Sequence, residues 1–206
     1  MNKFFSRSSQ KIGGKQPVIV VSGLPRSGTS MMMRMLAEGG LPIVTDEIRR
    51  ADGDNLNGYY ELEVVRQLKE GNFEWLKGMN GKGVKVISAL LEYLPQEYQY
   101  KIIFMKRDSK ETLASQKKML DHRGEISKLN DEEMEQQFHT HLAAMKPWLV
   151  RQPNMEVIYV NYNALMANPG SLCEQIINFL SLPLSQTQML AVPDGKLYRN
   201  RNVIEE

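Results

Sequence analysis

The stretch richest in reactive side chains is Ser22-Gly23-Leu24-Pro25-Arg26-Ser27-Gly28-Thr29-Ser30. Gly23 and Gly28 stand five apart, the glycine spacing of a phosphate-binding loop between a strand and a helix. Glycine lets the backbone turn so that successive N–H groups point into one concavity at a helix N-terminus, and the helix dipole adds to the attraction for an anion. Thr29 and Ser30 add hydroxyl donors, and Arg26 is the cation of the loop. A loop that binds a nucleoside triphosphate carries Lys and then Ser or Thr after its second glycine. Here those two positions are Thr29 and Ser30. The strand ends also offer no clear magnesium-binding aspartate; Asp108 is nearest, and it directly follows Arg107. The loop therefore reads as built for an anion shorter than a triphosphate, with no metal expected. A ligand-free turn is the competing reading, and the crowding of Arg, Ser, Thr and Ser into one turn weighs against it.

A second anion site is expected around Arg107, at the end of an apolar run over residues 102–105 and so at the edge where α/β folds bind ligands. Ser115 lies eight residues later, two turns into the next helix. A guanidinium fork with a nearby hydroxyl suits a second phosphate. Taken alone, Arg107 reads better as the partner of Asp108 or Glu111 on the surface, with Ser115 as an ordinary helix residue.

These groups need a scaffold. Residues 18–22 form a β-branched run that suits a strand buried on both faces. A helix over 30–38 stops at Gly39-Gly40. Residues 42–58 are rich in Asp, Asn and Gly and read as a long loop, and 60–76 as helix. Strands are expected over 84–87, 101–105 and 157–160, with a short helix over 90–94 and another over 110–120. A longer helix over 131–150 is announced by Asn130 followed at the third position by Glu133. Residues 169–180 form a helix with proline at its start. Strands alternating with helices predict an α/β fold, a three-layer sandwich with a mainly parallel sheet. Residues 1–16 read as a flexible arm and 17–206 as one domain, a fitting size for a chain of 206 residues.

Composition narrows the function classes. The chain is 42% hydrophobic, enough for a core, with a formal net charge of +2. That balance disfavours nucleic-acid binding driven by bulk charge, so any anion site must be local. The single cysteine, Cys173, cannot close an internal disulfide. The N-terminus lacks a secretory apolar core. The longest aliphatic run, Val18-Ile19-Val20-Val21, falls far short of the ~20 residues of a membrane span. A cytoplasmic protein without a membrane span is expected.

Pro25-Arg26-Ser27-Gly28-Thr29-Ser30 resembles the 5′-phosphosulfate loop of sulfotransferases. Lys101-Ile102-Ile103-Phe104-Met105-Lys106-Arg107-Asp108, continued through Glu111 and Ser115, resembles their 3′-phosphate motif. The resemblance runs from about residue 18 to 120 and implies a P-loop NTPase-like fold. It also implies a transferase that uses 3′-phosphoadenylyl sulfate (PAPS) as donor and releases adenosine 3′,5′-bisphosphate. The acceptor would be a hydroxyl or amine on a small molecule or glycan. Arg26 stands where cytosolic sulfotransferases have lysine and where protein-tyrosine and several bacterial members have arginine; its implied role is to neutralise charge on the bridging oxygen. Pro25, Ser27, Gly28, Thr29 and Ser30 would hold the donor's 5′ end, and Arg107 and Ser115 its 3′-phosphate. Asp108 is expected to orient Arg107. Arg199 and Arg201, in the basic tail, loosely resemble the segment that folds over the nucleotide; a solvated tail is the alternative.

Sulfuryl transfer also needs a group to take the acceptor's proton. Glu47, 21 residues beyond Arg26, ranks first because its offset is similar to that in protein-tyrosine and bacterial trehalose sulfotransferases. Glu61 ranks second: it closes Asn55-Leu56-Asn57-Gly58-Tyr59-Tyr60-Glu61, which is similar to a segment of bacterial members. Glu61 also reads as a carboxylate at a helix start, and Glu47, Asp46, Asp52 and Asp54 as solvated loop acids. His122, His139 and His141 all follow the second motif, unlike the histidine base of cytosolic members, and read as structural or solvent-facing. Lys85 points either toward the site or to the sheet edge. Two other functions share the loop: a P-loop kinase or nucleotide hydrolase using ATP or GTP with magnesium, and a non-catalytic nucleotide-binding module.

Overall fold

The computed structural model describes residues 16–46, 58–125, 127 and 129–193. Four strands make one sheet: β1 (Val18–Gly23), β2 (Gly83–Lys85), β3 (Tyr100–Lys106) and β4 (Met155–Asn161). All pairings are parallel and the order is β2-β1-β3-β4. Val20 lies opposite Val84 on one side and Ile102 on the other, and Ile102 in turn opposite Val157. Every residue of β1 is buried, as its β-branched sequence requires when both faces of a parallel sheet are covered.

The alternation along β1 and β3 divides the core into two layers. Ile19, Val21, Ile103 and Met105 face α1 (Thr29–Glu38), α4 (Tyr162–Ala167), α5 (Pro169–Leu180) and α6 (Gln186–Leu190). Val18, Val20, Ile102 and Phe104 face the other way. There 3₁₀ segments over Glu63–Glu70, Glu74–Leu76 and Ser88–Tyr93 and the helix α3 (Asp131–Val150) complete the packing. The remaining helix, α2 (Ser109–Arg123), leads from β3 to α3. The result is the three-layer α/β sandwich read from the sequence. Met32, Met33 and Met35 are fully buried behind the loop, where flexible thioethers fill the gaps between helix and sheet.

The expected helix over 60–76 is corrected. It resolves into two 3₁₀ segments, the first ending at Gly71 with φ 76°. The β-branched pair Val64-Val65 and that left-handed glycine favour short turns over a continuous α-helix. The helices α4 and α6, six and five residues long, were not anticipated; segments that short carry too little periodicity to be read. The long helix α3 begins where its capping pattern put it.

The strand order decides where a ligand can sit. From β1 the chain goes to β2 on one flank and then returns to place β3 on the other. The connections leaving β1 and β3 therefore diverge at their carboxyl ends and open a crevice between them. Residues 24–28 follow β1 and Arg107 follows β3, so both expected anion sites border this one crevice.

At the start of α3, the Asn130 side chain accepts from Glu133 N–H at 2.8 Å and Glu133 accepts from Asn130 N–H at 3.0 Å. Asn130→Ala should lower the free energy of unfolding by about 1 kcal/mol, read as a reduced urea midpoint with an unchanged slope.

Candidate functional site

The loop after β1 is a tight turn with an arginine in an unusual place. Ser27 N–H donates to the Leu24 carbonyl at 3.2 Å, and Ser27 Oγ donates to the same oxygen at 2.7 Å. Pro25 pre-sets the first central position. Arg26 takes the second with φ 68°, a position that glycine ordinarily fills in such a turn. Two glycines make close approaches. A Cβ on Gly23 would stand 2.7 Å from the Met105 carbonyl oxygen. One on Gly28, which has φ 97°, would stand 2.4 Å from the Tyr162 ring. Gly28 is the N-cap of α1, and among the described residues no side chain caps that helix. Its first-turn N–H groups have no acceptor within the helix, as a helix start that is to bind an anion requires.

The two expected anion sites are in contact. Arg26 Nε donates to Ser115 Oγ, on α2, at 3.0 Å. Arg107 Nη1 donates to the Arg26 carbonyl at 3.3 Å. Arg107 is held on two further sides. Its Nε pairs with Glu111 Oε2 at 3.0 Å, with both side chains more than nine-tenths buried, and its guanidinium lies 4.5 Å from the centroid of the Tyr162 ring. Glu111 Oε1 accepts from Asn163 Nδ2 at 3.0 Å, tying α2 to α4. The Glu111 pairing is thus real but buried rather than superficial. Asp108 serves as the N-cap of α2, accepting from Glu111 N–H at 3.1 Å. Burial pushes the Tyr162 phenol above its ordinary range, against the pull of Arg107.

A third cation stands on the other flank of the loop. Lys85, at the end of β2, has a buried side chain; its Nζ donates to the Tyr59 carbonyl at 2.7 Å and Ser30 Oγ at 3.2 Å. The Glu61 carboxylate lies 3.3 Å from the same nitrogen. Glu61 also accepts through its main-chain carbonyl from Thr45 Oγ1 at 2.8 Å. The carboxylate that caps the following 3₁₀ segment is Asp46, which accepts from Glu63 N–H. The helix-start role open to Glu61 therefore falls to Asp46. Sequence reading left Lys85 undecided; the signal was its alternation with Val84 and Val86, which puts it on the α1 face of the sheet.

Glu47 and Arg199 lie outside the described residues, as do Asp52, Asp54 and Arg201. His141 is half-buried, and its Nε2 is 2.8 Å from Ser88 Oγ; burial pulls its pKa below the ordinary histidine range. His139 is exposed, 3.6 Å from Glu135.

A family model described as "Sulfotransferase family" matches residues 59–186, more than half of the chain. The chain belongs to the sulfotransferase family. The matched region holds Glu61, Lys85, Arg107, Glu111 and Ser115, while the loop with Arg26 precedes it. Among solved structures, the sulfotransferase domain from the Synechococcus PCC 7002 olefin synthase is 16% identical with a TM-score of 0.51; the match covers 93% of this chain and 86% of that one. The sulfotransferase domain from the curacin biosynthetic pathway is 15% identical with a TM-score of 0.50, covering 88% of this chain and 79% of that one. These two likenesses show a common sulfotransferase fold. A comparison with curated proteins gives no match. No helix among the described residues is long and apolar enough to cross a membrane.

The buried pair at the centre of this candidate site makes Glu111 a structural prerequisite. Glu111→Ala would leave the Arg107 charge uncompensated and should cost about 3–5 kcal/mol of stability, measured by chemical denaturation; Ser109→Ala, which removes a single hydrogen bond to Glu135 at the start of the same helix, should cost far less.

Proposed function

We propose that the protein moves a sulfuryl group from PAPS to a hydroxyl or amine acceptor. The observation that carries this reading is the 3.0 Å contact between Arg26 and Ser115. It joins the loop after β1 to the segment after β3 across the crevice of the sheet. One continuous anion-binding surface results, suited to a ligand with an anion at each end. Thr29, where a triphosphate loop carries lysine, weighs against the kinase or hydrolase alternative.

The donor, when bound, supplies an activated sulfuryl group on a phosphate leaving group. The main-chain N–H groups at the start of α1, with Ser27, Gly28, Thr29 and Ser30, hold the 5′ end. Ser27 acts chiefly through the turn, because its hydroxyl is spent on Leu24. Pro25 fixes that turn. As the acceptor's oxygen or nitrogen bonds to sulfur and the bridging S–O bond breaks, the electron pair passes to the phosphate oxygen. Arg26 neutralises the charge that develops there, and Lys85, beside Ser30, adds a second cation. Arg107 and Ser115 hold the 3′-phosphate; Arg199 is assigned to the nucleotide on the sequence resemblance alone. The acceptor is a small molecule or a glycan. The reading involves no nucleic-acid partner, and the setting is cytoplasmic.

For the proton, Glu61 is favoured by one observation: its carboxylate lies 3.3 Å from the Lys85 nitrogen, which also donates to Ser30 of the loop. Glu47 retains its place from sequence.

Two tests separate these roles. Arg26→Ala should cut transfer severely while Arg107→Ala weakens binding of adenosine 3′,5′-bisphosphate by about 1.5–3 kcal/mol, as measured by calorimetry without magnesium. Binding only of ATP with magnesium would overturn the reading. Glu61→Gln should abolish transfer while leaving bisphosphate affinity intact; if Glu47→Gln alone does so, the proton goes to Glu47.

A further inference from the structure

The carboxyl edge of the sheet carries a second basic feature, on the face opposite α1. Lys106 is the last residue of β3, and Lys146 projects from α3. Both bring their ammonium groups to one aromatic ring, that of Tyr159 on β4, at 5.3 Å and 6.0 Å from its centroid. Both lysines are exposed. Among the described residues neither is in ion-pair contact with a carboxylate, which sets them apart from Lys85 and Arg107. The ring face attracts each cation but neutralises neither, so two like charges share one platform.

The platform itself is firm. The Tyr159 ring packs on Phe104 with centroids 5.6 Å apart, and Phe104 is buried in the core beneath it. The Tyr159 hydroxyl is buried and makes no hydrogen bond among the described residues. Lys106 immediately precedes Arg107 in the chain. The platform therefore adjoins the crevice assigned to the donor, yet its side chains lie with Phe104, on the other side of the sheet from α1.

We propose that this platform belongs to the acceptor side, and that the acceptor carries an anionic group, a carboxylate, sulfate or phosphate ester, gripped by Lys106 and Lys146 over the Tyr159 ring. The proposal rests on the sulfuryl-transfer reading and names the substrate class that reading leaves open. An anion between the two ammonium groups relieves their mutual repulsion. The ring offers a flat apolar surface to the carbon skeleton beside it. A neutral acceptor would leave both charges uncompensated, which makes the pair a device for discrimination as much as for affinity.

The test is calorimetry on the full chain at low ionic strength. Adenosine 3′,5′-bisphosphate is bound first; the loaded protein then receives a glucuronate-containing disaccharide or its methyl ester. The acid should bind at least tenfold more tightly than the ester. In a Lys106→Gln/Lys146→Gln variant that preference should fall below threefold with bisphosphate affinity unchanged, and a Lys106→Arg/Lys146→Arg variant should retain it. Equal binding of acid and ester, no binding of either, or a preference that survives the glutamine variant overturns the proposal. Loss of bisphosphate affinity in the glutamine variant also overturns it, by moving the lysines to the donor. Failure of the wild-type protein to bind bisphosphate sinks the sulfuryl-transfer reading itself, and the proposal with it.

Discussion

The buried ion pair between Arg107 and Glu111 is the interaction on which the rest of the site depends. A guanidinium and a carboxylate taken out of water together repay their desolvation only with good geometry and satisfied remaining groups. Here the arginine also reaches the Arg26 carbonyl and lies on the Tyr162 ring, while the carboxylate's second oxygen takes a hydrogen bond from Asn163. Three segments distant in sequence, the loop after β1, the start of α2 and the helix α4, are thereby fixed against one another. The left-handed conformation of Arg26, which a side-chain-bearing residue adopts at a cost, is held where its carbonyl meets Arg107 and its guanidinium meets Ser115.

This cluster would mean little on another topology. The order β2-β1-β3-β4 puts the divergence of the chain between β1 and β3, and parallel pairing brings the two carboxyl ends level, with Gly23 opposite Met105. A loop of main-chain donors and an arginine–serine pair then face one cleft from its two banks. Lys85, one strand further out, reaches the loop from the flank and meets Ser30. The family supplies the name of the chemistry; the sheet order supplies the reason that these residues meet.

Much of this was legible in the sequence. The β-branched run of β1, the capping pair Asn130 and Glu133, and Pro169 at the start of α5 are local signals, and local signals survive folding. The residues proposed to bind the donor's anions, Arg26, Arg107 and Ser115, were also readable, because motifs encode residue type and order. Their mutual contact was not, since Arg26 and Ser115 are 89 residues apart and only the strand order brings them together. Lys85 was ambiguous for the same reason: alternation gives its face but not the helix covering it. Glu111 was read as a surface partner because burial depends on α4, a helix too short to be anticipated. The 3₁₀ character of residues 63–76 was missed because a hydrophobic period cannot separate tight turns from an α-helix.

Gly28 has a reach beyond its own turn. The space a methyl group would need there is already filled by the Tyr162 ring, and the same ring is the surface on which Arg107 rests. One aromatic side chain is therefore wedged between the loop proposed to cradle one end of the ligand and the guanidinium assigned to the other. A bulkier residue in the cradle would displace the wedge, and the disturbance would travel to the far bank of the cleft without any part of that bank being altered. The loop and the distant arginine are, in this fold, parts of a single mechanical unit.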